Sequence, residues 1–407
     1  MAGPLSHIRV LDLSRVLAGP WASQNLADLG AEVIKVERPG VGDDSRAFGP
    51  PWIRDGEGKE TKDSAYFSSA NRGKRSLTLN IALAEGQAIA RELAAKSDVL
   101  IENYKYGDLA RYGLGFEDLR KTNPRLVYCS VTGFGQTGPY RERPGYDFMI
   151  QGMGGMMSVT GEPDGAPGGG PQRAGVPIAD IITGMYASIA ICAALANRER
   201  SGKGQHLDLA LLDSQIALLA YQNTNYLATG KPPKRIGNLH PNIVPYQPFR
   251  TSDGEVILAC GNDNLYRKFC DAAGCAELAK DPRFATNGKR VENRAELTRL
   301  LSDVFKKRSK REWLELLEAA GVPNGPINDV AQVFEEPQVK ARGIRMELPH
   351  GAGASLPLVA SPMRFSETPL EFRSAPPTLG QHTEEVLRGL LGKSASDIER
   401  LRSAKVI

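Results

Sequence analysis

An apolar run, a short amphipathic stretch and a second apolar run follow one another between positions 8 and 36, and they constrain the fold more than any other feature. Residues 8–13 (Ile-Arg-Val-Leu-Asp-Leu) read as a buried strand. Residues 21–29 have helical spacing and stop at Gly30, and residues 31–36 (Ala-Glu-Val-Ile-Lys-Val) read as a second strand. Strand, helix and strand this close together make a parallel pair with a right-handed crossover. The pattern continues with strands at 76–81, 98–101 and 125–131, a helix at 85–96 and helical stretches to about 121. That alternation predicts an α/β fold with a doubly wound, Rossmann-like large domain.

A chain of 407 residues exceeds what one core usually serves. The large domain is expected over 1–213, with a strand at 205–211, and a linker helix over 214–232. A smaller α+β domain is expected over 233–327, after the turn-forming run Gly230-Lys-Pro-Pro-Lys-Arg-Ile-Gly237. Residues 328–407 are proline-rich and irregular, end in two helices, and are expected to return to the large domain.

Net charge is only +4 and no long Lys/Arg block occurs, so nucleic acid is not an expected partner. The five cysteines (Cys129, Cys192, Cys260, Cys270, Cys275) lack a CxxC pair, and the five histidines are scattered. No metal site is therefore expected, and a reducing, cytoplasmic setting is. The N-terminus lacks a secretory pattern, and no run of about 18 apolar residues appears, so no membrane span is expected. Gly133-Phe-Gly-Gln-Thr-Gly138 matches GxGxxG, but Pro139-Tyr-Arg-Glu-Arg-Pro144 follows it instead of a helix. A dinucleotide site is not expected there.

Asp180 is the one residue with an open chemical choice. It is the only carboxylate between Asp164 and Glu199, where a Gly/Pro-rich loop gives way to a long apolar helix. Such a residue can cap the helix, worth about 1 kcal/mol. It can equally be a carboxylate nucleophile, kept ionised by the positive end of the helix.

Several stretches in order resemble the class III CoA-transferases, the group of formyl-CoA and carnitine CoA-transferases. They are Arg15-Val-Leu-Ala-Gly-Pro20, Gly30-Ala-Glu-Val-Ile-Lys-Val-Glu-Arg-Pro39, Asn71-Arg-Gly-Lys-Arg-Ser76, Glu102-Asn103, Gly133-Phe-Gly-Gln-Thr-Gly-Pro139, Pro144-Gly-Tyr-Asp147, Ala179-Asp180, Gly321-Val-Pro-Asn-Gly-Pro326 and Leu379-Gly-Gln-His382. The resemblance puts the family's nucleophile on Asp180, acting through an aspartyl anhydride and an aspartyl-CoA thioester. It implies CoA contacts at Leu17, Ala18, Arg38, Leu79, Asn80, Asn103, Tyr104, Lys105, Arg111, Gly145, Tyr146 and Asp147. Tyr104-Lys-Tyr-Gly107 departs from the family's usual run at that point. No cofactor is implied beyond the CoA thioester, which is a substrate, and the partners are an acyl-CoA and a carboxylic acid. An interlaced homodimer is implied as well.

Gly40-Val-Gly-Asp-Asp-Ser-Arg46, Pro50-Pro-Trp52, Ile243-Val-Pro-Tyr-Gln247 and Gly325-Pro-Ile-Asn328 look closest to the succinate–hydroxymethylglutarate branch. A dicarboxyl donor such as succinyl-CoA is therefore expected. Arg15, in the loop after the first strand, is the expected cation for the second carboxylate, since open α/β sheets bind ligands there. Two alternatives share the fold. An α-methylacyl-CoA racemase uses a His in a Gly-His-Asp turn, where this chain has Gly145-Tyr-Asp147, and tyrosine is a poor base near pH 7. A thioesterase or CoA-ester binder is the other.

Overall fold

The computed structural model describes residues 3–407, which divide into two compact units. The first comprises the chain up to Met156, Ala174–Thr229 and Gln338–Ile407. The second comprises Met157–Arg173 and Gly230–Pro337. The stretch 214–229 thus counts with the first unit, and Met157–Arg173, from the loop before Asp180, with the second.

A six-stranded sheet organises the first unit. Its strands are β1 (Arg9–Asp12), β2 (Glu32–Glu37), β3 (Lys74–Thr78), β4 (Val99–Glu102), β5 (Val127–Thr132) and β6 (His206–Ala210). All neighbours pair in parallel, in the order β3-β2-β1-β4-β5-β6. This 3-2-1-4-5-6 order is that of doubly wound sheets, and it reverses between β1 and β4. Side chains alternate between the two faces. Val10, Val33, Val99, Ile101, Val127 and Val131 join the core on one face, and Leu11, Ile34, Leu77, Leu100 and Tyr128 that on the other. Both faces are covered, so the strands read as continuous apolar runs instead of alternating ones.

The first face is covered by α1 (Ala18–Asp28) and, later in the chain, by a long helix over Ile178–Ser201. The opposite face is covered by α2 (Ala84–Ala95) and the helices Thr383–Leu391 and Ala395–Ser403, through Ile89, Leu93, Val386, Leu387, Ile398 and Leu401. The last helices are tied to β3 and the segment after it: Asn80 N–H donates to Val406 O at 2.7 Å, and His382 N–H to Ser76 O at 2.9 Å. A short helix, α3 (Asp147–Met153), precedes the long one, which is α4. The close approach of α4 to α1 requires Gly184, where a methyl group would lie 2.6 Å from Ala18 O.

One expectation changes. The helix expected over 214–232 is two helices, Leu211–Leu218 and Tyr221–Thr229, broken where Ala220 takes φ 44°. No glycine or proline marks that break in the sequence. By length and composition alone α4 is long and apolar enough to cross a membrane, with mean hydropathy 1.8, but Asp180, Thr183 and Ser188 interrupt its apolar run. Its Ala179, Ala187, Ile191 and Ala194 pack into the sheet core, and small residues at those positions carry the apolar count.

In the second unit, strands Tyr246–Arg250, Glu255–Ala259 and Asn324–Pro326 form an antiparallel sheet. Phe249 stacks on Phe305 at 4.5 Å, and Trp313 lies 4.4 Å from Phe305, at the centre of its core. The GxGxxG segment at 133–138 forms bends and no helix.

Candidate active site

In an open parallel sheet, the loops leaving the carboxyl ends of the strands diverge where the strand order reverses, leaving a crevice. Here a cleft of about 290 Å³ occupies that place. Its walls come from the residues following β1 (Arg15, Val16, Leu17, Ala18), β4 (Asn103 to Tyr106), β5 (Thr132, Gly133) and β6 (Leu211). Gly145, Tyr146 and Asp180 complete it.

Asp180 is the third residue of α4, and it does not cap the helix. Pro177 stands at the cap position, and Ala179 N–H donates instead to Asp147 Oδ1 at 2.8 Å. Asp147 Oδ2 accepts from Gln151 Nε2 at 2.7 Å, so α3 holds the start of α4. The carboxylate of Asp180 takes no hydrogen bond from any described residue. Burial first, and then the like charge of Asp147, push its pKa up to about 7. The sequence-based expectation that the helix end would keep it ionised is therefore reversed. Desolvation and a neighbouring carboxylate outweigh the dipole, whose first N–H groups point elsewhere. Tyr66 senses the same carboxylates: burial and the charges of Asp180, Asp147 and Asp43 push its hydroxyl up to about 12.

The loop after β1 is held in an uncommon shape. Val16 has φ 70°, a left-handed conformation rarely taken by a β-branched residue. Its N–H donates to Asp43 Oδ1 at 3.0 Å. Asp43 is paired with Lys35 at 2.8 Å, both side chains fully buried, and Lys35 Nζ also donates to Ser14 O at 2.8 Å. From the other side, Asn103 clamps the same loop. Its Oδ1 accepts from Arg15 N–H at 2.9 Å and its Nδ2 donates to Arg15 O at 2.7 Å. Gly133 and Gly145 touch backbone to backbone, since a methyl on Gly133 would lie 2.5 Å from Gly145 Cα. That contact seats the Tyr146 turn on the end of β5.

The structure brings together Arg15, Leu17, Ala18, Asn103, Tyr104, Lys105, Gly145, Tyr146 and Asp180 around this cleft. Arg38, Leu79 and Asn80 line a neighbouring cleft of about 190 Å³ that shares Arg15 and Tyr104 with the first. Arg111 lines neither; it is exposed and paired with Asp108. Asn103 spends its side chain on the Arg15 backbone, and Asp147 on Ala179 N–H and the Gln151 side chain, positioning roles that residue type alone did not separate from ligand contact. Arg15 is paired with Asp44 at 2.8 Å and lies over the Tyr104 ring. Sequence reading missed Arg141, Arg143 and Asp44 in the cleft wall. Arg141 and Arg143 sit in the stretch set aside when the GxGxxG match was rejected, and that pair of cations beside Pro144 was the available signal. No cluster of three or more potential metal ligands occurs among the described residues.

The resemblance puts a nucleophile on Asp180, and a carboxyl with a pKa pushed up to about 7 in that role would set the acid side of a rate profile. The carboxylate is the reactive form, so kcat/KM should fall about tenfold per pH unit below 7. In Asp147→Asn the Ala179 N–H keeps an acceptor while the like charge is lost. The acid limb should then move to lower pH, but only partly, because burial is the larger cause. A pH–rate profile of both proteins measures this, and an unmoved limb would mean that Asp147 does not act on Asp180.

Comparison with known proteins places this geometry among relatives. Residues 5–383 match the profile described as CoA-transferase family III. Over 387 residues the chain is 51% identical to the succinate–glutarate CoA-transferase of Agrobacterium fabrum, covering 95% of this chain and 96% of that one. It is 44% identical over 404 residues to the succinyl-CoA:glutarate CoA-transferase of Homo sapiens, covering 99% and 90%. The crystal structure of a CaiB/BaiF family protein from Brucella suis superposes with a TM-score of 0.82 at 52% identity, covering 96% of this chain and all (100%) of that one.

Proposed function

Because this chain belongs to CoA-transferase family III, we infer that it moves coenzyme A from succinyl-CoA to a second dicarboxylic acid, glutarate being the first candidate. The observation that carries the reading is the half-buried, unpartnered carboxylate of Asp180 in the crevice beyond the strand ends. The names of the relatives at 51% and 44% identity support the substrate pair.

The reaction proceeds by covalent catalysis. Asp180 attacks the thioester carbonyl of the donor, the C–S bond breaks, and CoA thiolate leaves a mixed succinyl–aspartyl anhydride. The thiolate attacks the aspartyl carbonyl, releasing succinate and forming an aspartyl-CoA thioester. The acceptor carboxylate displaces the thiolate to give a second anhydride. The thiolate then takes the acceptor acyl group and frees Asp180. Each step exchanges one acyl bond for another, so no oxidant or reductant enters. Desolvation favours the attack, since a carboxylate stripped of hydrogen bonds is a stronger nucleophile than a hydrated one. Leu17, Ala18, Asn103, Tyr104 and Lys105 border the path of the pantetheine arm, and Arg38, Leu79 and Asn80 the neighbouring cleft suited to the nucleotide.

The working form is a homodimer, interlaced as the family resemblance implies. Met185 and Ile189 on α4, Met149 and Met153 on α3, and Ile216 remain exposed, and these helices pack side by side. Only 39% of the apolar stretch of α4 is buried within the chain, and a second copy is the occupant that would cover the rest. Sedimentation should give roughly 88 kDa, twice the chain mass of 44.0 kDa. A monomer at micromolar concentration would remove this part of the reading.

The activity is tested with labelled succinyl-CoA and glutarate, following glutaryl-CoA by mass spectrometry. Release of free CoA without an acceptor would indicate a thioesterase. Exchange of the α-hydrogen without transfer would indicate a racemase.

A further inference from the structure

We propose that Arg143, and not Arg15, receives the second carboxylate of the dicarboxyl substrate while the first reacts at Asp180. The proposal rests on the transferase reading above and names a specificity-determining residue for it.

The cleft that holds Asp180 is bordered by four cations: Arg15, Lys105, Arg141 and Arg143. Arg15 already has a carboxylate partner in Asp44, and Arg141 in Glu142. A guanidinium so paired offers little net charge to an incoming anion. Arg143 pairs with no carboxylate among the described residues, and its contacts are aromatic: its guanidinium lies 4.4 Å from the centre of the Tyr140 ring and 5.4 Å from that of Phe134. The two rings meet edge to face at 5.5 Å, so they form one seat. Stacking on aromatic faces holds the guanidinium plane while leaving its N–H fork open. Lys105 has neither an ion-pair partner nor an aromatic seat among the described residues, so ordering it around a ligand costs more side-chain entropy.

Position agrees with charge. Arg143 directly precedes the Pro144–Tyr146 turn, which is packed against the end of β5 by the Gly133–Gly145 contact and leads into Asp147 and the start of α4. The cation and the nucleophile are therefore fixed to one rigid assembly within the same cleft. Arg143 and Asp180 border the same cleft of about 290 Å³, which leaves room for a substrate chain between them. A dicarboxylate laid across that gap would meet a bidentate partner at its far end. A monocarboxylate of the same length would leave the cation without its ion and the far carbon against a polar wall.

An anion at Arg143 has two possible sources in this reaction, the far carboxylate of the acyl group and a phosphate of CoA. The experiment separates them. Steady-state kcat/KM is measured for succinyl-CoA and butyryl-CoA in native enzyme, Arg143→Leu, Arg143→Lys and Arg15→Leu, with inhibition by free CoA measured alongside. Native enzyme is expected to prefer succinyl-CoA by about 100-fold or more. In Arg143→Leu that ratio should collapse to within about tenfold of unity with the inhibition constant of CoA unchanged. Arg143→Lys should retain part of the preference, because charge remains without the fork. Arg15→Leu should keep most of it. The assignment is overturned if the ratio survives Arg143→Leu, or if Arg15→Leu alone erases it. It is also overturned if Arg143→Leu weakens free CoA and both thioesters alike, which marks a phosphate contact. A native enzyme indifferent to the second carboxylate would instead overturn the dicarboxylate reading itself. Failure of native enzyme to transfer CoA at all would overturn the transferase reading.

Discussion

Asp180→Asn is expected to abolish CoA transfer, lowering kcat by roughly four orders of magnitude or more, as loss of a covalent nucleophile does. An amide of the same shape keeps the start of α4 and the cleft intact, so binding of CoA esters should persist. Incubation of native enzyme with acyl-CoA and hydroxylamine should leave a hydroxamate on Asp180, detectable by mass spectrometry. The same variant has a stability signature of opposite sign. The folded state holds the Asp180 proton up to about pH 7, whereas the unfolded chain releases it near the ordinary 3.8. Stability contributed by this group is therefore lost as pH rises from about 4 to 7 and stays lost above that. Asp180→Asn removes a desolvated charge and should raise stability at pH 8 by on the order of 1–3 kcal/mol, with no gain below pH 4. Loss of activity with a gain of stability that is absent below pH 4, grows from about pH 4 to 7 and is full above that is hard to obtain from misfolding. Substantial residual transfer in the variant would sink the covalent mechanism.

Lys35→Met should be the most destabilising of the substitutions considered, by about 3–5 kcal/mol. Lys35 and Asp43 form an ion pair with no exposed side-chain surface. Removing the cation leaves a buried carboxylate that other residues only partly satisfy, through the N–H groups of Val16 and Ser45 and the Ser45 hydroxyl. The pair also has a positional job, because Lys35 holds Ser14 O and Asp43 holds Val16 N–H in its left-handed conformation. Val16 precedes Leu17 and Ala18, which border the cleft. Loss of stability should therefore come with a raised KM for CoA esters. The double variant Lys35→Met/Asp43→Leu removes both charges and should recover much of the stability without recovering KM. Denaturant unfolding and steady-state kinetics on the two variants decide this. Equal stability of single and double variants would show that the pair is not coupled.

Much of the architecture was legible before any coordinates. Strands buried on both faces must be apolar throughout, so β1, β2, β4 and β5 stood out as short Val/Ile/Leu runs between polar turns. Helical spacing placed α1, α2 and the last two helices to within a few residues, with Gly30 marking the end of α1. Asp180 was conspicuous as a lone carboxylate ahead of an apolar helix. What remained hidden depends on residues far apart in the chain. The break at Ala220 has no glycine or proline to announce it, and α4 hides a nearly span-like apolar content behind small residues that pack on the sheet.

At the site, local sequence carries residue type and position, which was enough to nominate Asp180 and the loops around it. It could not say how each polar group is partnered. Whether Asn103 meets a ligand or clamps Arg15 depends on a contact 88 positions away, and whether Asp147 caps α4 on one 32 positions away. The same holds for charge. Arg15 and Arg143 are alike in sequence, and only the fold places Asp44 against one and an aromatic seat beneath the other. The pKa of Asp180 is likewise a tertiary property. The helix end that sequence reasoning relied on acts locally, but burial of the carboxyl and the nearby charge of Asp147 are created by packing, and at low dielectric they are the stronger effects.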